Sequence, residues 1–122
     1  MQNNLQNLGK QGEEIAKTHL INTGYTILET NWRYKKYEID IIAQKANTLA
    51  IVEVKARTGN AYGEPEDFVN KKKQLFLITA AHNYLTKTNN MADCRFDIVS
   101  ILIQNNTQTI KHIEGAFYPN LK

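Results

Sequence analysis

The first half of the chain shows the apolar spacing of a helix and then the shorter alternation of strands. Between residues 9 and 23, apolar side chains recur on one helix face, and Gly24 supplies the stop expected just past a helix end. Three stretches that are rich in β-formers or alternate charged with apolar residues follow, at residues 25–32, 37–43 and 48–55. This pattern predicts one helix followed by three consecutive strands joined by short turns.

The second half begins without periodicity and then repeats the change from helix to strand. Residues 57–67 contain two glycines and one proline, which suits a loop wrapping a site. Across residues 68–86 the apolar side chains fall on one face, which predicts a second helix. Residues 96–103 and 109–113 predict a fourth strand and a short fifth one, with an irregular tail from Gly115.

The order of these elements predicts a fold class. A helix, three strands, a second helix and further strands imply an α/β fold in which helices flank a central mixed β-sheet, with an α-β-β-β-α-β core. Residues 1–122 are expected to form a single domain. The lone Cys94 cannot form an internal disulfide, and no N-terminal apolar stretch resembles a signal peptide or could span a bilayer. We therefore expect a cytoplasmic protein with no membrane segment.

The charge balance is mildly basic. Lys and Arg number 15 against 12 Asp and Glu, for a net charge of +3, and the isoelectric point is about 9.0. An excess of this size permits a polyanionic partner such as nucleic acid but does not demand one. Composition alone therefore leaves the function open.

Two acidic residues come together if the second and third strands form a hairpin. A turn at Ala46 and Asn47 sets Asp40 directly opposite Glu53 across an antiparallel ladder, with Lys55 on the same face. Two carboxylates in this position repel each other, so the arrangement is costly unless a positive charge lies between them. Strand alternation is expected to send four apolar side chains to the opposite face, beneath a helix: Ile39, Ile41, Val52 and Val54.

The residue types at this hairpin match metal-dependent hydrolysis of a phosphodiester. Oxygen ligands with open positions suit Mg²⁺ or Mn²⁺, and no cluster of His or Cys in the sequence offers the geometry that zinc prefers. Asp40 and Glu53 are the predicted metal ligands, and Lys55 would position the attacking water or stabilise the pentavalent phosphate. Acidic residues with a lysine two positions on also occur on many solvated strand faces, so this spacing alone does not distinguish a site from an ordinary surface.

Side chains of both helices could reach the same site. On a helical wheel, Glu13 sits at the edge of the apolar stripe of the first helix, whereas Glu14 lies nearly opposite. In the second helix, Lys73 and Gln74 fall within the apolar sector. A lysine that faces inward needs a partner, such as a site carboxylate or a bound phosphate, although a lysine that snorkels past the core edge fits equally well.

Cations and aromatic rings are mixed just before the second strand. Residues 32–37 could neutralise phosphates and stack on exposed bases, and a solvated hairpin turn explains them equally well. The predicted nucleic-acid contacts are Arg33, Lys35, Lys36 and, at the start of the loop, Arg57. His19, His82 and His112 are far apart in the sequence, and this separation argues against a catalytic triad.

Short motifs lie along nearly the whole chain. They are Gly12-Glu13-Glu14-Ile15-Ala16, Gly24-Tyr25, Asn31-Trp32-Arg33, Glu38-Ile39-Asp40-Ile41-Ile42, Val52-Glu53-Val54-Lys55, Lys73-Gln74, Arg95-Phe96-Asp97 and Ala116-Phe117. In this order and at these spacings they resemble the YraN-like family of small bacterial proteins, with a specificity that no single tripeptide has.

The resemblance implies both a fold and a site. Members of that family look like restriction-endonuclease-like proteins and are similar to archaeal Holliday junction resolvases. This implies a PD-(D/E)XK nuclease site in which Asp40 is the metal-binding aspartate, and Glu53 and Lys55 are the (D/E)XK pair. The positions that the resemblance assigns on the helices are Glu13, Lys73 and Gln74.

Two positions depart from the family pattern. Ile39 stands where the general signature has proline, and Tyr37 stands where family members usually show glycine. The second change replaces a small residue beside the site, so the backbone path or substrate access there could differ. Asp97 is expected to pair with Arg95 or a neighbouring strand in a structural role.

These observations support three hypotheses. The first is a Mg²⁺- or Mn²⁺-dependent endonuclease that acts on DNA, with branched or damaged structures as candidate substrates. The second is a nucleic-acid-binding module of the same fold that does not cleave, and the third is a protein-interaction scaffold. Resolvases cut two strands in a related geometry, so a homodimer would fit by analogy, while the sequence itself leaves the oligomeric state open.

Overall fold

The structure is a computed structural model that describes residues 4–58 and 69–118. Its elements are α1 (Asn4–Asn22), β1 (Thr26–Tyr34), β2 (Tyr37–Lys45), β3 (Thr48–Thr58), α2 (Lys71–Thr88), β4 (Asp93–Gln104) and β5 (Thr107–Phe117). This order confirms the predicted α-β-β-β-α-β core. Most of the predicted loop at residues 57–67 lies outside the described residues, and its first two residues, Arg57 and Thr58, belong to β3.

The five strands form one sheet in the order β1-β2-β3-β4-β5. Neighbouring strands are antiparallel except for β3 and β4, which are parallel. The sheet is therefore mixed, as predicted, and its parallel pair requires a crossover, which includes α2. Short turns centred on residues 35–36 and 46–47 join the first three strands.

The two helices cover opposite faces of the sheet. Ala50 and Val52 of β3 belong to the apolar cluster beneath α1, whereas Leu49 and Ile51 belong to the cluster beneath α2. Because successive side chains of a strand point to opposite faces, the clusters lie on the two sides of the sheet. Within the described ranges, neither helix combines the length and the apolar character needed to cross a membrane.

The last strand is longer than its sequence pattern indicates. The prediction of an irregular tail from Gly115 is wrong, because β5 continues to Phe117. Gly115 adopts a φ of 61°, and the β4–β5 register shifts beyond Phe96. Pairing resumes where Phe117 stacks on Phe96, with ring centroids 5.1 Å apart. A bulge at a glycine thus interrupts the alternation without ending the strand.

A capping residue sets the start of α2. The helix begins at Lys71, later than the predicted start at residue 68. The side chain of Asn70 accepts a hydrogen bond from the backbone N–H of Lys73 at 2.9 Å, which satisfies a donor that the first turn leaves free. This cap fixes Lys73 in the first turn.

Close packing between α1 and β3 depends on Gly12. A Cβ atom at this position would lie 2.6 Å from the Cβ of Ala56, so a larger residue would force the helix away from the strand. The approach of α1 to the sheet at Gly12 also places the neighbouring Glu13 beside the same cavity as Asp40 of β2.

Candidate functional site

The hydrogen-bonded ladder between β2 and β3 ends immediately before the two predicted metal ligands. Its Cα partners follow the predicted register up to the pair Ile41 and Val52. Asp40 and Glu53 are the next residues on the two strands, beyond the last pair. The backbone N–H of Val54 donates to Oδ2 of Asp40 at 2.8 Å. A carboxylate thus replaces the backbone partner where the two strands stop pairing.

Strand alternation fails in β2 at the same place. Ile41 packs beneath α1 with Val52 and Val54, as predicted, whereas Ile39 belongs to the cluster beneath α2. Ile39 and Ile41 would share a face in a regular strand, so the prediction for Ile39 is wrong. The side chains before and after Asp40 therefore point to opposite faces of the sheet. The sequence conceals this change because an isoleucine is buried on either face.

Glu53 is a buried carboxylate held by two lysines. Its side chain is 5% exposed, and its Oε2 lies 2.5 Å from Nζ of Lys73 and 3.6 Å from Nζ of Lys55. A carboxylate removed from water is costly unless it is paired, and both ammonium groups meet the same oxygen here. The structure therefore brings the predicted (D/E)XK pair together with the predicted lysine of α2.

The residues around Lys73 divide as the helical wheel indicates. Lys71 and Lys72 are exposed, whereas Lys73 and Gln74 are half-buried. Lys73 turns to the carboxylate, but Nε2 of Gln74 donates to the backbone oxygen of Val69 at 3.0 Å. In this structure, that contact of Gln74 ties down the chain that enters α2.

Asp40 sits in surroundings that disfavour its charge. Burial raises the pKa of Asp40 to about 7, and the negative charges of Glu53 and Glu13 act in the same direction. The hydrogen bond from Val54 and the charge of Lys73 oppose this rise only in part. The lysines thus balance the negative charge of Glu53 well and that of Asp40 poorly. A further positive charge beside Asp40 would therefore be stabilising.

A cavity of about 300 Å³ opens beside Asp40. Glu13 of α1 and Lys55 of β3 line it, together with Asp40 itself. Glu13 is half-buried, and its Oε1 accepts a hydrogen bond from Nδ2 of Asn31 at 3.3 Å. Two carboxylates and an ammonium group therefore border a space large enough for small ligands.

The donor set suits a cation that needs few protein ligands. Within residues 4–58 and 69–118, no three or more His, Cys, Asp or Glu side chains are grouped so as to hold a metal ion. Mg²⁺ is commonly bound by one or two carboxylates and takes its other oxygens from water and substrate phosphates. Asp40 and Glu53 fit that pattern, because oxygen donors that repel each other gain from a shared cation.

The predicted nucleic-acid contacts lie in two places. Arg33 is exposed in β1, with its Nη2 3.6 Å from Oε2 of Glu38. Lys35 and Lys36 are exposed in the turn between β1 and β2. Arg57 is half-buried in β3 rather than part of a loop. The first three residues therefore make the turn of the β1–β2 hairpin cationic, and Arg57 belongs to the sheet.

A second charged cluster surrounds Asp97, on the face of the sheet that α1 covers. Nε and Nη2 of Arg95 each lie 2.8 Å from a carboxylate oxygen of Asp97, as does Nε2 of His112. Burial alone would raise the pKa of Asp97, but hydrogen bonds from His112, Arg95 and Gly115 hold it below its ordinary value. The predicted pairing with Arg95 is confirmed, and the cluster ties β4 to β5.

Two histidines extend this cluster to α1. Nε2 of His19 lies 3.2 Å from Nδ1 of His112. Folding brings these two histidines together because α1 packs against β5, although they lie far apart in the sequence. The sequence offers no signal for this contact, since it joins residues that are 93 positions apart.

Comparison with known proteins supports one family assignment. The sequence model of the Uncharacterised protein family UPF0102 matches residues 12–101. A UPF0102 protein of Flavobacterium psychrophilum is 45% identical over 111 residues, which cover 91% of this chain and 93% of the relative. A UPF0102 protein of Chlorobium chlorochromatii is 45% identical over 117 residues, 91% of each chain. One from Phocaeicola vulgatus is 43% identical over 111 residues, 91% of this chain and 92% of the relative.

The matched region contains α1 from Gly12 onward, the β2–β3 hairpin and α2, which together supply every side chain of the candidate site. It also agrees with the family that the motifs resemble. The chain therefore belongs to the uncharacterised protein family UPF0102, the YraN-like family.

Proposed function

We propose that this protein is a Mg²⁺- or Mn²⁺-dependent endonuclease that hydrolyses phosphodiester bonds in DNA. The observation that carries the proposal is the charge arrangement where the β2–β3 ladder ends. Glu53 is buried against the ammonium groups of Lys55 and Lys73, and burial and charge raise the pKa of the neighbouring Asp40 to about 7. A divalent cation shared by the two carboxylates would relieve this repulsion.

Each side chain then has a role that follows from its position. Asp40 and Glu53 would hold the cation, whose Lewis acidity polarises a phosphoryl oxygen. Lys55, 3.6 Å from Glu53, orients the attacking water or neutralises the charge that develops on the phosphate. Lys73 holds Glu53 in place, and Glu13 borders the same cavity as Asp40 and can accept a hydrogen bond from water there.

DNA is the proposed substrate because the chain has a net charge of +3 and exposes Arg33, Lys35 and Lys36 together at one hairpin. Such cations bind phosphates and release counterions, so binding should weaken as salt rises. The resemblance to Holliday junction resolvases makes branched DNA the first structure to test. A homodimer would supply a site for each of two strands, and the cytoplasm would give the enzyme access to DNA.

One observation favours the alternative of a nucleic-acid-binding module without cleavage. Lys73 already meets Glu53 at 2.5 Å, so the buried carboxylate is neutralised without a metal. In that case the hairpin cations would bind DNA while the carboxylates served only to anchor α2. Metal-dependent cutting separates the two functions.

The test incubates purified protein with duplex, single-stranded and four-way-junction DNA, with and without Mn²⁺. Asp40→Ala and Lys55→Ala remove the predicted ligand and the predicted ammonium. Glu14→Ala is the matched control, because Glu14 is an exposed carboxylate of α1 that pairs with Lys17 instead.

Cutting that requires Mn²⁺, survives Glu14→Ala and is lost in both site variants is the expected result. Salt-sensitive binding without cutting would support the non-catalytic module. If the protein neither binds nor cuts any of the three DNA forms, the remaining hypothesis is a protein-interaction scaffold.

A further inference from the structure

Aromatic rings meet where the β1–β2 hairpin touches α2. The rings of Tyr37 and Phe76 are stacked, with centroids 3.6 Å apart and planes inclined by 20°. A cavity of about 220 Å³ lies beside them, and Tyr34, Lys35 and Thr79 complete its lining. The rings of Tyr34, Tyr37 and Phe76 are half-buried, so each keeps part of its surface open to a ligand.

Lysines surround these rings. Nζ of Lys35 lies 5.5 Å from the centroid of Tyr34, and Nζ of Lys36 lies 5.6 Å from that of Tyr37. None of the residues that line the cavity is acidic. A ring surface bordered by ammonium groups matches a nucleotide, because its base is a flat apolar ring and its phosphates are anionic.

A third lysine approaches from α2. Nζ of Lys72 lies 6.0 Å from the centroid of Phe76. Lys72 is exposed in the first turn of α2 and takes no part in the contact between Lys73 and Glu53. Cations therefore approach the rings from the hairpin and from the helix.

The ring cluster is adjacent to the candidate site on both elements that form it. On β2, Tyr37 precedes Asp40 by three residues. On α2, Phe76 follows Lys73 by three residues, a spacing that places side chains on the same side of a helix about 4.5 Å apart along its axis. A base on the rings would therefore lie on the side of the sheet that α2 covers, close to the contact between Lys73 and Glu53.

We propose that the cluster of Tyr34, Tyr37 and Phe76 binds an unpaired base of the DNA substrate, next to the phosphodiester that is cut. In a paired duplex both faces of each base are covered by neighbouring bases, so only an unpaired nucleotide can stack on a protein ring. The inference rests on the proposed nuclease function and narrows its substrate to DNA with a single-stranded segment beside the cleavage point, such as a flap, a gap or an open junction.

The test measures binding without cleavage, in EDTA. One probe carries 2-aminopurine in a single-stranded flap, and a second carries it within a fully paired duplex of the same sequence. The wild type should change the fluorescence of the flap probe and leave that of the duplex probe nearly unchanged, because only the unpaired base can change its stacking partner. Equal signals from the two probes would overturn the proposal, and this comparison needs no variant.

Two substitutions at Tyr37 then test whether its ring makes the stacking contact with the base. Tyr37→Leu should weaken flap binding about tenfold, the lower part of the range for loss of one base–ring stack, and duplex binding less than about twofold. Tyr37→Phe keeps the ring and should bind as the wild type does. Tyr118→Leu is the control, since Tyr118 is an exposed ring that follows β5, the strand at the opposite edge of the sheet.

The outcomes separate this inference from the proposed function. Preference for the flap probe without any Mn²⁺-dependent cutting would contradict the proposed nuclease function and would still support the ring site. Mn²⁺-dependent cutting combined with equal effects of Tyr37→Leu on the two probes would support the nuclease function and contradict the ring site.

Discussion

Nζ of Lys73 lies 2.5 Å from Oε2 of Glu53 and ties the first turn of α2 to a carboxylate buried in β3. The contact lies beside the point where the β2–β3 ladder ends. Both lysines meet Oε2, so a cation could bind Oε1 of Glu53, but its charge would then act on a carboxylate whose negative charge Lys73 already balances. The proposed site is therefore one in which a lysine and a metal ion compete for one carboxylate.

Substitution of Lys73 tests this competition. Lys73→Met leaves Glu53 with Lys55 as its remaining lysine, 3.6 Å away. We expect the unfolding free energy of the metal-free protein to fall by about 1 kcal/mol, less than for a fully buried pair, because the Lys73 side chain is 42% exposed. Mn²⁺ should raise the melting temperature of the variant more than that of the wild type.

Thermal unfolding with and without Mn²⁺ measures both effects. Lys87→Met removes an exposed lysine from the last turn of the same helix and should change neither. A Mn²⁺ effect of the same size in Lys73→Met and the wild type would show that the ammonium group does not compete with the cation.

Asp40→Asn should stabilise the metal-free protein at pH 8 while abolishing its cleavage activity. The pKa of Asp40 rises to about 7 on folding, above the value of about 3.9 expected in the unfolded chain. Between these pH values the folded state binds more protons, so this group lowers stability as the pH rises. Asparagine cannot ionise, and its oxygen can still accept from the N–H of Val54.

The gain in unfolding free energy should be at least about 1 kcal/mol at pH 8 and should shrink as the pH falls toward 4. Denaturant unfolding in EDTA at several pH values measures it. A gain that does not vary with pH would show that the ionisation of Asp40 is not its source.

Gly12→Ala tests the close packing that brings Glu13 to the site. The new Cβ would lie 2.6 Å from the Cβ of Ala56, and neither atom is the end of a flexible side chain. We expect a loss of about 1–3 kcal/mol in unfolding free energy, together with reduced cleavage as α1 moves outward. Gly9→Ala is the matched control, because nothing lies within 4 Å of its Cβ position. Alanine there should be neutral or stabilising by up to about 1 kcal/mol.

The pair formed by His19 and His112 predicts a loss of stability in acid. Burial, and then the charge of His112, lower the pKa of His19 below 6.5. The unfolded chain therefore binds more protons, so this contribution is complete above pH 6.5 and is lost as the pH falls through that value to the folded pKa. His19→Gln should lose part of this acid sensitivity in urea unfolding between pH 7.5 and 5.5, whereas substitution of the exposed His82 should retain all of it.

The register of the β2–β3 hairpin follows from its local sequence. Alternating residues and a short turn define the register, which the structure confirms up to Ile41 and Val52. The helical wheel likewise places Lys73 inward, because the periodicity of one helix decides which side chains face the sheet. Local spacing therefore carries most of the information about the candidate site.

Features that depend on tertiary contacts or on breaks in regular structure could not be predicted in this way. The face change around Asp40 leaves Ile39 and Ile41 both buried, so the apolar pattern is the same with or without it. The bulge at Gly115 hides the end of β5, and the contact between His19 and His112 joins elements from opposite ends of the chain. In each case the deciding interaction lies outside the sequence window that reveals a helix or a strand.

Asp40 and Glu53 are the proposed ligands of one shared divalent cation. Titration of Mn²⁺ followed by electron paramagnetic resonance tests this proposal without any substrate. We expect a Mn²⁺ site in the wild type and in Glu14→Ala that is lost or greatly weakened in both Asp40→Asn and Glu53→Gln. Mn²⁺ binding that is absent from the wild type, or that keeps the same affinity in the two carboxylate variants, would contradict it.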